Sequence, residues 1–235
     1  EVKEQIDLMY SLIHQQVDAI VLVPIDSKAL VQPAVEAVRK GIPVINIDIQ
    51  LDAQLLEQAG VEVAFVGPDN FAAAYEVGKL LDKKLRNEDK VAIIEGLAAA
   101  DNAQQRKRGF IKAIEEKGLR LVASEPADWE TEKAAEVFQA MWMRYPDLKA
   151  VYCSNDAMAL GVLQQMQEKN CYLPVVGFDN DAVMKEFLST GKLVATADIF
   201  SSQMAVRGIE FALDVLEGKI ENRGVHSTAY EIIKQ

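Results

Sequence analysis

Cysteine, histidine and aromatic residues are scarce in this chain. Its 235 residues contain two cysteines and two histidines, and 7% are aromatic. Cys153 and Cys171 are too few for a disulfide framework, and we interpret both as buried free thiols, with a bridge as the less favoured alternative. His14 and His226 stand apart, without the spacing of a metal site or a catalytic base. We therefore expect no metal, no cofactor and no cysteine- or histidine-based chemistry.

Long hydrophobic runs and an excess of positive charge are also missing. No apolar run approaches the roughly 18 residues that a membrane span requires, so we expect no direct membrane insertion. The chain has 25 Lys and Arg against 36 Asp and Glu, a net charge of −11. A nucleic-acid surface needs clustered positive charge, and we therefore expect no nucleic-acid partner. The interspersed charges are typical of a soluble acidic surface.

The sequence carries none of the common signatures of an enzyme. It has no Gly-x-Gly-x-x-Gly, no P-loop and no Gly-x-Ser-x-Gly. The carboxylates Asp48 and Asp179 are the only support for catalysis, and paired carboxylates alone are weak evidence. We assign no catalytic residue and expect that the protein is not an enzyme.

What the chain does have is a repeated pattern of a short apolar run followed by a helical period. Helices are predicted near 2–16, around Ala34 to Val38, and at 70–86, 102–117, 131–143, 156–169, 181–190 and 202–217. Strands are predicted at 18–23, 43–49, 62–67, 90–95, 119–123, 148–153, 173–178 and 192–197, with a last extended piece from Thr228 to Ile233. Strict alternation with short connections predicts an α/β fold whose parallel strands are covered by helices on both faces. This number of units favours two small lobes over one sheet.

Polar residues stand where the predicted strands end. Ligands bind beyond the carboxyl ends of the strands in a parallel α/β sheet. Asn155 and Asp179 end two such strands, and their closeness in sequence predicts one shared cleft. Asn155 and Asp156 both open a helix, so one is expected to cap it and the other to face the cleft. Asp181 is an alternative cap beside Asp179.

Two further strand ends carry aspartates. Asp48 follows the apolar strand 44–47, and we favour a ligand contact over a turn cap, because no helix begins directly after it. Asp69 ends one strand and opens a helix. A plain N-cap is the stronger interpretation of Asp69, and a ligand contact through the loop stays open.

Arg106 and Trp129 are the remaining candidates. Arg106 to Arg108 are three basic residues in what we take as the first turn of a helix, where a cation opposes the helix dipole. At least one of them therefore has another role, and the planar fork of Arg suits vicinal oxygens or a carboxylate. Trp129 lies in a loop flanked by acids. It either stacks on the apolar face of a sugar or covers the local core.

Five ordered segments carry a resemblance to a known family: 17–22 (VDAIVL), 41–48 (GIPVINID), 105–110 (QRKRGF), 155–161 (NDAMALG) and 175–179 (VVGFD). Together they resemble the type I periplasmic binding proteins, above all the ribose-binding branch that serves sugar ABC importers. The likeness spans essentially the whole chain. It implies two Rossmann-like lobes that close on a small sugar or polyol in the periplasm and present it to the membrane permease of an ABC importer.

The resemblance also implies roles for individual residues. By position, Asp48, Arg106, Asn155 and Asp179 would bind the hydroxyls and ring oxygen of the sugar. Trp129 would stack on the ring, with Phe178 beside it in the pocket.

Three positions depart from the ribose-binding pattern. Val23, Ile49 and Ile199 stand where that pattern has Asn, Arg and Gln. Asp198 could compensate for Ile199, although strand alternation would point it the other way. We therefore expect a sugar other than ribose itself.

The resemblance predicts the extent of each lobe. Residues 1–68 with about 200–219 would form lobe 1, and 69–199 with about 220–235 would form lobe 2. The family begins with a strand, a helix and a second strand before the helix seen here at the start, so we expect these elements, and an export signal, to be missing. A strand near 18–23 would then have an unpaired edge.

A signalling use of the same fold is the alternative. Effector domains of lactose-repressor-type regulators also carry a stretch like Asn155 to Gly161, and a periplasmic partner of a sensor kinase or chemoreceptor is a second form. The acidic charge and the segment 191–196 favour the transport receptor.

Overall fold

Helices and strands alternate through the computed structural model, which describes residues 1–234 apart from the side chain of Asp82. The first elements are α1 (Val2–Gln15), β1 (Ile20–Leu22), α2 (Val31–Arg39), β2 (Val44–Ile47), α3 (Ala53–Ala59) and β3 (Ala64–Pro68). Next come α4 (Asn70–Asp82), β4 (Lys90–Glu95), α5 (Asp101–Lys117), β5 (Arg120–Pro126), α6 (Thr131–Arg144), β6 (Ala150–Cys153) and α7 (Asp156–Glu168). The chain continues with β7 (Val175–Val176), a 3₁₀ turn (Ala182–Met184), α8 (Lys185–Ser189), β8 (Leu193–Asp198), α9 (Ser201–Leu216), β9 (Val225–Thr228) and β10 (Glu231–Lys234).

The chain divides into two compact units. The first contains Glu1–Pro68, Ala99–Asn102 and Phe200–Ala229, and the second contains Asp69–Ala98, Ala103–Ile199 and the residues from Tyr230 onward. The prediction that the segment from about 220 belongs to the second lobe is wrong up to Ala229, because β9 pairs with β3 of the first unit. Gln235, the last residue of the predicted second lobe, lies outside the described residues.

The first unit is built on a parallel sheet in the order β1-β2-β3-β9. Every residue of β2 is buried, as expected for a parallel strand covered on both faces. One face packs on a cluster that includes Met9 and Ile13 of α1 and Val35 of α2. The other face packs through Ile45 and Ile47 on α9.

The second unit is built on a sheet in the order β10-β8-β7-β6-β4-β5. All pairs are parallel except β10 with β8, which is antiparallel, and the predicted α/β fold built on parallel strands is confirmed. The predicted last extended piece is in fact two strands, β9 and β10, which belong to different sheets. On one face α6 and α7 pack together over a core that includes Phe138 and Met158.

Two local predictions differ from the structure. Helix α3 was not expected, since it is short and buries no residue completely. Asp52 caps it by accepting a hydrogen bond from the Leu55 N–H at 2.9 Å. The helix expected over 181–190 is a 3₁₀ turn followed by the short α8.

Both cysteines were expected to be buried free thiols, and no helix was expected to span a membrane. Cys153 and Cys171 are both free, and Cys153 is completely buried whereas Cys171 is partly exposed. Burial raises the pKa of the Cys153 thiol well above its usual range. Within residues 1–234, no helix combines the length and the apolar character that crossing a membrane requires.

The first unit exposes a stripe of large apolar side chains on α9. Val206, Ile209, Leu213 and Leu216 recur at helical spacing and are between 46% and 54% exposed. Beside them β1 is the end strand of its sheet among the described residues, and Val21 on it is 36% exposed. Exposed apolar patches and open strand edges favour association.

Gly161 tests the packing of α6 on α7. A Cβ at this position would lie 2.0 Å from the Thr131 carbonyl oxygen, a backbone atom that cannot rotate away. We expect Gly161→Ala to lower the free energy of unfolding by about 1–3 kcal/mol, measured by urea denaturation. Gly208→Ala is the control, because its Cβ meets a side-chain atom, Ile47 Cγ2 at 2.7 Å, and not the backbone, so its loss should be smaller. Equal losses in both variants would contradict the tight α6–α7 contact.

The apolar stripe on α9 generates a second prediction. We expect the 235-residue chain to self-associate with rising concentration, and Ile209→Lys with Leu213→Lys to reduce this association in sedimentation velocity. Gln54→Lys with Gln58→Lys adds the same charge on exposed positions of α3 and serves as the control. A monomeric parent chain at high concentration, or equal effects of the two double variants, would refute the prediction.

Candidate functional site

Arg106 is a buried charged candidate of the second unit. Its side chain is only 3% exposed. The expectation that it lies in the first turn of its helix is wrong, because α5 begins at Asp101 and Arg106 is therefore in the second turn. The helix dipole is weaker there, so the special role of Arg106 follows from its contacts and not from the dipole.

Three hydrogen bonds fix the Arg106 guanidinium. Its Nε donates to Asn70 Oδ1 at 2.9 Å, and its Nη1 donates to the Ser154 carbonyl oxygen at 2.9 Å. Nη1 also lies 3.4 Å from Asp179 Oδ1, where it forms an ion pair. The bonds join four segments of the second unit: the start of α4, α5, the end of β6 and the turn after β7. They use Nε and Nη1 of the guanidinium.

Two aromatic rings complete the surroundings of Arg106. Its Cζ lies 3.7 Å from the centroid of the Phe178 ring, a close cation–π contact. Phe178 was expected beside Trp129 in the pocket, but its side chain is completely buried. The face of the Phe178 ring contacts the guanidinium.

Trp129 lies on another side of the same group. Its ring centroid is 5.6 Å from Arg106 Cζ, and its indole packs against Gly96, where a Cβ would lie 2.1 Å from the ring. The ring is partly buried and also packs against the core of α6 and α7. This fits the interpretation of Trp129 as a cover for the local core, and its stacking on a sugar stays a prediction.

Asp179 and Asn180 form a strained turn after β7. Their φ angles are 110° and 59°. The angle at Asp179 is one that residues other than glycine seldom adopt, at a cost of about 1–3 kcal/mol, whereas Asn tolerates the left-handed angle of Asn180. The Asp179 N–H donates to the Ala197 carbonyl oxygen at 2.7 Å, and the Asn180 N–H donates to Thr196 Oγ1 at 3.2 Å. The turn leaves the Asp179 side chain 27% exposed beside Arg106. A carboxylate held in this way can accept hydrogen bonds from a ligand.

Asn155 and Asp156 were expected to provide one helix cap and one residue facing the cleft, and only the cap is found as expected. Asn155 caps α7, since its Oδ1 accepts from the Met158 N–H at 2.9 Å, and it stays partly exposed. Asp156 does not face a cleft, because its side chain is completely buried. Burial raises the pKa of Asp156 from its ordinary 3.8 to about 7, against the opposing effect of its hydrogen bonds.

Asp69 and Asp198 both use side-chain oxygens within the second unit. Asp69 caps α4 by accepting from the Ala72 N–H at 2.8 Å, as its stronger interpretation predicted. Asp198 Oδ2 accepts from Asn180 Nδ2 at 3.0 Å, and the neighbouring Ile199 is 3% exposed. Ligand contacts of Asp69 and Asp198 remain predictions.

Two features near Arg106 were missed in the sequence. Asn70, the direct partner of Arg106, is 1% exposed and directly follows the Asp69 cap. Glu95, at the end of β4, accepts from Lys107 Nζ at 2.8 Å and from Ser124 Oγ at 2.5 Å. Lys107 is thus paired with Glu95. The sequence signal that could have identified Glu95 was its place as a polar residue at the end of β4.

Asp48 belongs to the first unit. It follows β2 with a φ of 64°, and its N–H donates to the Val66 carbonyl oxygen at 3.2 Å. The buried Asn46 fixes the loop beyond it, because its Nδ2 donates to the carbonyl oxygens of Leu22 and Ile49 while its Oδ1 accepts from the Leu51 N–H. The side chain of Asp48 is half-buried, and its contact with a ligand stays a prediction.

The described residues hold no group of three or more His, Cys, Asp or Glu side chains that could bind a metal ion. Candidate donors and acceptors in the second unit include Arg106, Asp179 and Asn155. This set is suited to a neutral ligand that both donates and accepts hydrogen bonds.

Sequence comparison finds relatives along nearly the whole chain. The D-ribose/D-allose-binding protein of Pseudomonas aeruginosa is 41% identical over 238 residues, which cover 99% of this chain and 75% of that protein. The D-allose-binding periplasmic protein of Escherichia coli is 34% identical over 217 residues, covering 90% of this chain and 70% of that protein.

Solved structures agree with these relatives. An ABC transporter solute binding protein from Burkholderia multivorans is 40% identical with a TM-score of 0.94, covering 100% of this chain and 83% of that chain. An ABC transporter periplasmic solute binding protein from Actinobacillus succinogenes, with bound D-allose, is 31% identical with a TM-score of 0.92 and covers 99% and 84%. The periplasmic binding protein domain family matches residues 1–220. The chain therefore belongs to the periplasmic binding protein family.

Proposed function

We propose that this chain is a solute-binding receptor that binds a small sugar or polyol and presents it to the membrane permease of an ABC importer. The observation that carries the proposal is the fixed guanidinium of Arg106, paired with the partly exposed Asp179. The names of its relatives, which bind D-ribose and D-allose, support the sugar class.

The chemistry of the site matches a polyhydroxylated ligand. A sugar hydroxyl donates one hydrogen bond and accepts others, so neighbouring hydroxyls need an acceptor beside a donor. Asp179 supplies the acceptor, Arg106 the donor, and the amide of Asn155 either. Because Arg106 is already fixed by Asn70 and Ser154, binding loses little side-chain entropy at this point.

Four further residues are proposed as additional contacts of the sugar. Trp129 offers an aromatic face near Arg106 for the apolar side of a sugar ring. Asp48 is the proposed contact from the first unit. Asp69 and Asp198 each already use an oxygen for an internal bond, so we assign them outer positions.

A periplasmic location and delivery to a permease follow from the same proposal. The relatives named above are binding proteins, one of them called periplasmic, and the two structures are solute binding proteins of ABC transporters. This supports a transport receptor over the effector domain of a regulator.

Replacing Asp179 tests the pocket assignment. We expect Asp179→Ala to weaken sugar binding tenfold or more, about 1.4 kcal/mol, in isothermal titration calorimetry, because the ligand loses its acceptor beside Arg106. Asp181→Ala is the matched control, since Asp181 lies two residues away, is exposed and makes no side-chain cap. Equal affinities of both variants and the parent would sink the assignment.

A thermal-shift screen of aldopentoses, aldohexoses and polyols tests the ligand class. A ligand at 100 times its Kd adds about 2.7 kcal/mol to the free energy of unfolding, which corresponds to a rise in Tm of roughly 5–10 °C for a chain of this size. We expect D-allose to raise the Tm more than D-ribose, because Val23, Ile49 and Ile199 depart from the ribose-binding pattern.

The screen has an internal control. The shift by the best sugar should be largely lost in Asp179→Ala and kept in Asp181→Ala. No shift by any sugar or polyol at millimolar concentration, together with a shift by an amino acid or another solute, would overturn the proposal.

A further inference from the structure

The geometry points to Asp156 as the positioning residue of the proposed sugar site: its buried carboxylate holds the turn that presents Asp179 to the ligand. Asp156 is the first residue of α7 and is completely buried. Its Oδ2 accepts from the Asp181 N–H at 2.9 Å, and its Oδ1 accepts from Thr196 Oγ1 at 2.9 Å. Both carboxylate oxygens are thus used inside the protein, and the inference rests on the proposed function of the site.

Asp156 controls the strained turn through two routes. The Asp181 N–H binds to it directly. The Asn180 N–H binds to Thr196 Oγ1, whose own hydrogen is donated to Asp156. Thr196 therefore acts as a relay, and two successive amides of the turn depend on one carboxylate. The positive φ angle at Asp179 persists only where neighbouring groups enforce it.

The backbone before the turn is shaped around the same carboxylate. A Cβ at Gly177 would lie 2.0 Å from Asp156 Oδ1, so only glycine leaves room for the carboxylate. The Asp156 N–H donates to the Phe178 carbonyl oxygen at 2.7 Å. Because Arg106 rests on the Phe178 ring, Asp156 also fixes the support of the guanidinium.

The consequence for the site is indirect. Asp156 has no exposed surface and does not touch a ligand, but it sets the place of Asp179 relative to Arg106. Without the anchor, the turn can relax to negative φ angles and carry the Asp179 carboxylate away from Nη1, which now lies 3.4 Å from it. The donor and the acceptor would then no longer be adjacent.

The protonation of Asp156 should make the stability of the protein depend on pH. The groups that face Asp156 are the carboxylates of Asp179 and Asp181 in the turn, the buried Cys153 thiol of β6 and the Thr196 hydroxyl of β8. The pKa of Asp156 is raised to about 7, chiefly by burial. Between pH 4 and 7 the native state therefore keeps a proton that the unfolded state releases, and Asp156 is then a neutral carboxyl group whose Oδ2 still accepts from the Asp181 N–H. The contribution of Asp156 to the free energy of unfolding falls as the pH rises through this range.

Two variants test the inference. In Asp156→Asn the amide oxygen can still accept from the Asp181 N–H and the amide nitrogen can donate to Thr196, so the turn is kept. In Asp156→Ala both bonds are lost. We expect the amide hydrogen of Asp181 to exchange at least tenfold faster in the Ala variant by NMR, with the Asn variant close to the parent. Sugar affinity should fall at least tenfold in Asp156→Ala and be restored in Asp156→Asn.

The pH profile separates positioning from a general packing role. The difference in unfolding free energy between the parent and Asp156→Asn should change from pH 4 to pH 7 and then level off. Unchanged Asp181 exchange and unchanged affinity in Asp156→Ala would overturn the inference. If the difference in unfolding free energy between the parent and Asp156→Asn does not vary with pH, the raised pKa of Asp156 is refuted.

A third variant covers the case in which Asp156→Ala does not fold. Thr196→Val keeps the shape of the side chain and removes the relay hydroxyl. It should speed exchange at the Asn180 amide and weaken sugar binding, and unchanged values for both would contradict the inference. Exchange is measured without sugar, so it decides on Asp156 even if the parent chain binds no sugar, a result that would refute only the proposed function.

Discussion

The buried cation of Arg106 is the constraint on which the site of the second unit depends. Moving a charge out of water costs several kcal/mol unless other groups compensate it. Here the compensation comes from Asn70, the Ser154 carbonyl oxygen, Asp179 and the face of Phe178. These groups belong to three segments of the chain: the start of α4, the residue after β6 and the turn after β7. The need to satisfy one guanidinium therefore fixes where the ends of β6 and β7 lie.

Unfavourable backbone geometry occurs next to this cation, at two of the proposed ligand contacts and at the residue that follows one of them. Trp129, Asp179 and Asn180 all have positive φ angles, and each is held by neighbours that are themselves buried or bonded. Strain of this kind is stable only on a rigid frame, which the sheet and the α6–α7 contact provide. The result is a set of donors and acceptors whose positions are largely fixed before a ligand arrives, which lowers the entropic cost of binding.

The sequence predicts the fold well because its signals are local. Apolar runs and helical periods locate most strands and helices, since each element needs only its own pattern. The pattern fails where the outcome depends on partners distant in sequence. Whether the last extended piece is one strand or two depends on its pairing with β3 and β8, and no local signal states it. Helix α3 was missed because it buries too little to leave a pattern.

The candidate site divides in the same way. The sequence predicts Asp179 from its place at a strand end and Arg106 from the basic turn of a helix, and the structure places Arg106 Nη1 3.4 Å from Asp179 Oδ1. Which member of the pair Asn155 and Asp156 is buried could not be predicted, because that depends on Thr196 and Gly177 of neighbouring strands. The burial of Phe178 beneath Arg106 and the pairing of Glu95 with Lys107 are likewise tertiary contacts.

A crystal structure of the chain with a bound aldose tests the central claim most directly. The account predicts an oxygen of the sugar at about 2.7–3.2 Å from the Asp179 carboxylate and another at this distance from a guanidinium nitrogen of Arg106. The bonds of Arg106 to Asn70 and Ser154 should be unchanged. A sugar bound without contact to Arg106 and Asp179, or an Arg106 side chain that leaves its buried position on binding, would contradict the account.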